Sequence, residues 1–210
     1  MKKLESSITN MVIVLVGVAL ITGAILAYVN NITTGPIQEQ AEKTLTDGIK
    51  KVMGGGELKV ASNDTIRQMV NGKEALFIIH TTQDTKGNAL GAAVESTTSG
   101  FGGDLKVLVG FNQEGNILGY TILQTAETPG LGAKAEGWFQ KDGKGSIIGK
   151  NPSTDNLTVS KDGGSVNAIT ASTITSRAFL LAVNNAYNAY KKGADSNSGT
   201  TKVNNNLTNK

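Results

Sequence analysis

The chain has no cysteine and a single histidine, His80, among its 210 residues. Without cysteine it cannot form disulfides, iron–sulfur clusters or thiolate zinc sites, and one histidine cannot build a histidine-rich metal site. Any redox chemistry therefore requires an organic cofactor. We expect no catalytic role for His80, because it lies in an apolar, strand-like segment with no nucleophile-elbow motif nearby.

A strong excess of charge of either sign is also lacking. The formal net charge is +3, and Lys2, Lys3 and Glu5 account for +1 of it. Proteins that bind nucleic acid through phosphate contacts concentrate far more positive charge, so we predict no nucleic-acid partner. The length favours one globular domain with appendages.

Charged residues are absent from Ser6 to Gln38, and residues 11–29 are the apolar centre of that run. At 1.5 Å per residue this centre is roughly 28 Å long, about the thickness of a hydrocarbon core. A cleaved signal peptide is the alternative, but its apolar region would be shorter and a small-residue cleavage site would follow. We therefore predict an uncleaved transmembrane helix over 11–29.

Positive charge lies on one side of this span. Lys2 and Lys3 precede it, whereas the nearest charges after it are Glu39, Glu42 and Lys43. The positive-inside rule predicts that residues 1–10 are cytoplasmic and that the domain lies on the outer face of the cell inner membrane.

The remainder predicts an α+β domain over 30–192, an antiparallel sheet with flanking helices. A helix is expected to begin at Pro36 and to continue to about Met53, since apolar residues recur there at helical spacing. Helical patterns recur at 134–140 and 172–192. Strands are predicted over 75–81, 89–97, 104–111 and 117–125, with shorter ones possible at 147–149 and 157–160. Residues 193–210 are rich in Ser, Asn, Thr and Gly, which predicts a flexible tail.

Small and hydroxyl-bearing residues fill the segment 166–177, which leads into the last predicted helix. Thr170, Ser172 or Thr173 can cap that helix, and an ordinary cap is the simpler interpretation of these residues taken alone. A helix N-terminus also favours phosphate, and Arg177 lies one turn after Thr173 on the same face. Arg177 is therefore a candidate for a charge-assisted hydrogen bond to phosphate.

Two glycine-rich segments precede that helix. Residues 127–134, with the sequence Glu-Thr-Pro-Gly-Leu-Gly-Ala-Lys, join a predicted strand to a short helix. Their glycine spacing differs from that of a P-loop, so by itself this segment is equally well interpreted as a structural turn. Residues 100–104, Gly-Phe-Gly-Gly-Asp, form a glycine-rich loop just before another strand.

Together, in this order and spacing, the three segments resemble the FMN-binding domain of the G subunit of the Rnf ion-translocating oxidoreductase complex. The same domain family includes the C subunit of the sodium-pumping NADH:quinone reductase. The family's flavinylation motif is Asp-x-x-Ser/Thr-Gly-Ala-Thr, and residues 167–173 occupy its place. Asn167 stands where aspartate is usual, and Ala171-Ser172 stands where Gly-Ala is usual.

The resemblance implies that FMN is attached covalently, through a phosphoester with the hydroxyl of Thr173. It also implies that the loop 127–132 and the helix start surround this flavin. The residues expected to bind the cofactor are Thr173, Glu127, Thr128, Gly130, Leu131, Gly132, Thr170, Ser172 and Arg177.

By resemblance, the protein is an electron-transfer subunit of an Rnf-type complex. Such a complex passes electrons between ferredoxin and NAD and moves sodium ions or protons across the membrane. The implied partners are other membrane and iron–sulfur subunits, with a flavin transferase for maturation. Two alternatives remain, namely the C subunit of the quinone reductase and a non-redox, membrane-anchored envelope protein of pilin-like type.

Overall fold

The computed structural model describes residues 8–70 and 72–197. The chain divides into two compact units, residues 1–44 and 45–210. The elements in chain order are helix α1 (Ile8–Val52), strands β1 (Leu58–Val70), β2 (Lys73–Asp84), β3 (Ala89–Ser99), β4 (Asp104–Asn112) and β5 (Ile117–Thr125), helix α2 (Ala135–Trp138) and helix α3 (Thr173–Asn197). Single 3-10 turns lie at Gly132–Lys134 and Ser160–Asp162.

Most of α1 is apolar and exposed. Side chains such as Leu15 and Leu20 are about two-thirds exposed or more, and in the described part of the chain only α1 is long and apolar enough to cross a membrane. The expectation that a second helix begins at Pro36 is wrong, because Pro36 lies inside the continuous α1. Proline removes one backbone donor, and just before it the hydroxyls of Thr33 and Thr34 donate to carbonyls one turn earlier.

The five strands form one antiparallel sheet in sequential order, which confirms the predicted α+β class and the four predicted strands. The sequence pattern missed β1, which pairs with β2 along its whole length. Most β1 side chains are exposed, and only Ile66, Gln68 and Val70 alternate inward, near its end. The apolar periodicity that identifies a strand is therefore confined to a few residues.

One face of the sheet packs against α3 to form the main core. Phe179, Val183 and Ala186 on α3 are fully buried, as the helical spacing predicts, and Tyr190 is partly buried. Phe179 stacks on Phe139 with ring centroids 4.4 Å apart. Aromatic pairs of this kind add to the stabilisation from buried area, so they fix α3 against the segment that follows β5.

The last turns of α1 cover the opposite face, in a smaller core built around Ile49, Val52 and Leu108. Gly110 and Gly119 form a cross-strand pair beneath Val52. A Cβ atom on Gly110 would lie 2.3 Å from the Val52 carbonyl oxygen, so only glycine admits this close approach. Strands β3, β4 and β5 contribute apolar side chains to both cores, whereas β2 contributes only to the main core.

The chain from β5 to α3 is mostly irregular. The predicted helix at 134–140 is present as α2, but 147–149 form a turn and Val159 makes only an isolated bridge to Val166. The Tyr120 hydroxyl, whose pKa burial raises, donates to the Ala135 carbonyl and accepts from the Phe139 backbone. These bonds anchor the irregular segment to the sheet without a further strand.

Helix α3 is longer than the sequence suggests, because residues 193–197, assigned to the flexible tail, are helical. A Cβ atom on Gly193 would lie 2.7 Å from Cδ1 of Ile79, so this turn of α3 still packs closely on the sheet. The rest of the predicted tail, from residue 198, lies outside the described residues, as do residues 1–7.

Candidate functional site

The three glycine- and hydroxyl-rich segments meet at one end of the sheet, around the carboxylate of Glu127. This side chain is buried, and its Oε1 atom accepts a 2.8 Å hydrogen bond from the Phe101 backbone N–H in the β3–β4 loop. A Cβ atom on Gly100 would lie 2.1 Å from the same oxygen. Glycine at 100 therefore makes room for the carboxylate that joins the two loops.

Gly132 brings the loop 127–132 against the start of α3. A Cβ atom at this position would lie 2.5 Å from Glu127 Oε2 and 2.8 Å from the hydroxyl oxygen of Thr175. Any larger residue would separate the loop from the helix. The structure thus brings together two of the predicted segments that are about forty residues apart in sequence.

The loop itself is a shaped turn. The Leu131 backbone N–H donates to the Thr128 carbonyl, and Gly130 has φ +76°, as the third position of a type II turn requires. Pro129 occupies the preceding position, where its fixed φ is suitable. Thr128, Gly130 and Leu131 are exposed at the tip, whereas Glu127 and Gly132 are buried at its two ends.

At the start of α3, burial separates hydroxyl groups that look equivalent in the sequence. Ser172, Thr175 and Ser176 are buried, at 8%, 1% and 0% exposure. Thr173, the first residue of α3, is partly exposed, and Thr170 is exposed but precedes the helix. Thr173 is thus the hydroxyl within the first turn of α3 that solvent or a ligand reaches most readily.

The backbone at this helix start favours an anion. Among the described residues, the backbone N–H groups of Thr173, Ile174 and Thr175 have no hydrogen-bond acceptor, and the first such bond within the helix is from Ser176 to the Ser172 carbonyl. Free N–H groups and the positive end of the helix dipole both stabilise negative charge. A phosphate on Thr173 would lie beside these donors.

Arg177 forms an ion pair with Asp162, which ends the 3-10 turn Ser160–Asp162. Its Nε and Nη2 atoms donate to the two carboxylate oxygens of Asp162, each at 2.7 Å. The Arg177 guanidinium holds the pKa of Asp162 below its usual range. This bidentate pair orients Arg177 on the surface and leaves its Nη1 group outside the contact with Asp162.

The sequence did not point to Trp138 and Gly145 as residues near the site. The Trp138 indole N–H donates to the Asn167 carbonyl at 2.8 Å, and a Cβ atom on Gly145 would lie 2.5 Å from that same oxygen. The Asn167 side chain also donates to the Lys144 carbonyl at 3.1 Å. Trp138 is the one tryptophan of the chain and directly precedes Phe139, and this was the feature of the sequence that could have indicated its role.

Ala171 has φ +62°, and it is the one non-glycine residue with positive φ in the described chain. Alanine in this left-handed region is strained by contact between Cβ and the backbone. This is the motif position at which the resemblance makes glycine usual, so the geometry accounts for that preference. The strain lies two residues before Thr173.

The opposite, α1-covered face of the sheet holds a separate polar cluster. His80 links Asn63 to Glu95, with its Nδ1 atom 2.7 Å from Asn63 Oδ1 and its Nε2 atom 2.8 Å from Glu95 Oε1, and Lys106 pairs with the other Glu95 oxygen. Burial raises the pKa of Glu95, but the hydrogen bonds from His80 and Lys106 outweigh it and hold that pKa below the usual value. No group of three metal-ligating side chains suited to an ion occurs among the described residues.

A family model described as an FMN-binding domain matches residues 100–188, the range that contains all three segments. The G subunit of the ion-translocating oxidoreductase complex of Shewanella oneidensis is 31% identical over 80% of this chain and 82% of its own. That of Yersinia pestis is 32% identical, over 76% and 79%. The G subunit of the Na⁺-translocating ferredoxin:NAD⁺ oxidoreductase complex of Acetobacterium woodii is 28% identical, over 85% and 89%.

The matched range makes this an FMN-binding protein. More specifically, the chain belongs to the family of G subunits of ion-translocating oxidoreductase complexes, which confirms the resemblance drawn from the sequence.

The residues at the sheet end fit such a cofactor. FMN presents a phosphate and a flat apolar ring. The helix start offers free N–H groups and a partly exposed hydroxyl, and Gly130 and Gly132 leave the loop without side chains at two positions. Phe101 and Ile174 are more than half exposed nearby, which supplies apolar surface.

Proposed function

We propose that this protein is a membrane-anchored flavoprotein subunit that relays electrons through FMN attached covalently to Thr173. The observation that carries the proposal is the partly exposed Thr173 hydroxyl at a helix start with free N–H groups, beside the loop 127–132. The neighbouring hydroxyls of Ser172, Thr175 and Ser176 are buried, so they are poor acceptors for an enzyme that must reach them.

Attachment requires a donor with a leaving group. The Thr173 oxygen forms a new bond to the flavin phosphorus, the hydroxyl proton passes to solvent, and the bond from phosphorus to the leaving group breaks. Direct condensation of Thr173 with free FMN would release a water molecule, which is unfavourable in aqueous solution. The donor we propose is therefore a flavin dinucleotide, from which a nucleoside monophosphate departs. A flavin transferase is the expected catalyst.

The remaining predicted residues have distinct proposed roles. Glu127 and Gly132 hold the loop against α3, while Thr128, Gly130 and Leu131 present the loop tip to the flavin ring. Thr170 and Ser172 shape the turn before the helix. Arg177, oriented by Asp162, donates from its remaining guanidinium nitrogen toward the phosphate. Bound FMN supplies one- and two-electron transfer, and the protein's task is to fix its position and potential.

The family sets the wider role. We propose that the complex transfers electrons between ferredoxin and NAD and couples this transfer to sodium or proton movement, with other membrane and iron–sulfur subunits as partners. The Acetobacterium woodii relative is a subunit of a Na⁺-translocating ferredoxin:NAD⁺ oxidoreductase complex, which supports this proposal. The N-terminal helix serves as the anchor in the inner membrane, and the FMN-binding domain lies on the outer side.

Replacing the acceptor tests the attachment. Protein purified with its flavin transferase and then denatured should carry one flavin per chain, visible as in-gel fluorescence and as added mass. Thr173→Ala should abolish both signals, although the domain still folds, since losing a side chain at a helix start costs about 1 kcal/mol. Thr170→Ala is the matched control and should retain the label. A covalent flavin on the Thr173→Ala protein would refute the assignment.

A further inference from the structure

Ser176 is a fully buried hydroxyl that joins α3 to the turn before it. Its Oγ atom accepts from the Ile169 backbone N–H and donates to the Ser172 carbonyl, each at 2.9 Å. The Ser176 backbone N–H also donates to that carbonyl, at 3.0 Å. One side chain therefore bonds to both ends of the turn 169–172.

That turn needs support because of its backbone conformation. It is closed by one backbone bond, from the Ser172 N–H to the Ile169 carbonyl, and it contains Ala171 at φ +62°. Residues in sparsely populated conformations persist only where surrounding contacts hold them in place. The Ser176 hydroxyl supplies two such contacts from a packed helix.

The neighbours of Thr173 are held differently. Thr175 lies against Gly132, and Arg177 is paired with Asp162. The Thr173 side chain has no hydrogen-bond partner among the described residues, so the region that its hydroxyl can reach is determined by the direction of its Cα–Cβ bond, which the backbone of the preceding turn and of the helix start fixes. A change in this turn would redirect Thr173 while leaving Thr175 and Arg177 in contact.

We propose that Ser176 is a positioning residue for covalent flavin attachment, since it braces the strained turn and so presents Thr173 to the incoming flavin phosphate. The proposal rests on Thr173 being the acceptor. The bond that forms is still the Thr173 oxygen to phosphorus, with loss of the donor's nucleotide leaving group. Ser176 itself contacts neither the flavin nor the transferase.

The experiment measures the rate of flavin attachment to folded protein, together with hydrogen exchange at the Ile169 amide. In Ser176→Ala, exchange at Ile169 should accelerate about tenfold or more, because its acceptor is lost, and attachment should slow by a similar factor. Thr98→Val is the matched control. It removes a buried hydroxyl that bonds α3 at the Ala178 carbonyl, away from the turn, and should leave both rates near wild type.

A second pair of variants covers the case in which Ser176→Ala fails to fold. Ser176→Thr keeps the hydroxyl and Ser176→Val has the same shape without it, so attachment should be faster in the Thr variant. Attachment at the wild-type rate in Ser176→Ala, or slow attachment with unchanged Ile169 exchange, would overturn the inference. Equal rates in the Thr and Val variants would overturn it as well. A label that persists in Thr173→Ala would instead refute the proposed acceptor, whatever Ser176 does.

Discussion

Five hydroxyl groups lie between residues 170 and 176, and their surroundings distinguish them more than their chemistry does. The Ser176 hydroxyl already makes two hydrogen bonds, and the Thr175 side chain is buried beside Gly132. Only Thr170 and Thr173 retain exposure, and only Thr173 stands on the helix. For the attachment proposed above, these surroundings favour the Thr173 oxygen over the other four.

The strain at Ala171 leads to a prediction about stability. Ala171→Gly should stabilise the domain by about 1 kcal/mol, because glycine adopts positive φ without a Cβ clash, although it adds some entropy to the unfolded chain. The melting temperature should then rise by roughly 2–4 °C for a protein of this size. Ala194→Gly, in an ordinary helical position of α3, is the control and should not stabilise. An Ala171→Gly protein that melts below wild type would contradict the assigned backbone conformation.

The sequence predicts a candidate acceptor region but not the contacts that shape it. Thr173 and the loop 127–132 were found through motif resemblance, which records spacing. The brace from Ser176, the pairing of Arg177 with Asp162, and the bond from Trp138 to Asn167 join residues between four and twenty-nine positions apart. No local periodicity encodes such contacts, because they depend on how irregular segments fold back on α3.

At the scale of elements, a charged cluster adds to the apolar contacts that link the middle strands on the α1-covered face. Glu95 on β3 bonds to His80 on β2 and pairs with Lys106 on β4. The sequence predicts these strands from runs of apolar, β-prone residues, and such runs do not indicate the partners of Glu95. A buried carboxylate is tolerated only where donors compensate for its lost hydration.

This cluster makes stability depend on pH. Since the pKa of Glu95 is lower in the folded protein than in the unfolded chain, its contribution is complete above the unfolded value, near 4.3, and is lost as pH falls through the folded value. Denaturant unfolding from pH 7 to pH 3 should show this loss. Glu95→Gln should reduce stability at pH 7 by about 3 kcal/mol, because His80 and Lys106 lose their charged partner, and should flatten the acid dependence.

Glu74→Gln is the control for that substitution. Glu74 forms an exposed pair with Arg67 between β1 and β2, and such surface pairs contribute little. The acid dependence of the Glu74→Gln protein should match that of wild type. If Glu95→Gln retained the wild-type acid dependence, the loss of stability would have to arise from other carboxylates.

The helices and strands that the sequence did not predict correctly also have physical explanations. Strands β2 to β5 carry runs of buried, β-prone residues and were predicted, whereas β1 is stabilised mainly by its pairing with β2 and was missed. Pro36 is typical of a helix start, yet α1 continues through it. A proline costs a helix one backbone bond locally, and the residues that follow it, such as Glu39, Gln40 and Ala41, have high helix propensity, which favours continuation.

At the scale of the whole molecule, the proposed electron relay requires the flavin and its partner subunits to share one compartment. Among the described residues the FMN-binding domain follows one candidate span, so the orientation of that span would determine the compartment of the domain. Lys2 and Lys3 are the charges that set this orientation under the positive-inside rule. The proposed attachment also depends on this orientation, since under the proposal a transferase would meet Thr173 on the outer side of the membrane.

A reporter enzyme that is active only outside the cytoplasm, fused after Lys210, should therefore be active in cells. Replacing Lys2 and Lys3 together by Gln removes the orienting charges, so reporter activity and covalent flavin should fall together, while Glu39→Gln should change neither. Both signals must be normalised to the amount of protein in the membrane, because misoriented chains are prone to degradation. Activity of a cytoplasm-only reporter on the wild-type chain would place the domain inside. In that case the flavin could not serve a relay on the outer face, and Thr173 would have to be modified in the cytoplasm.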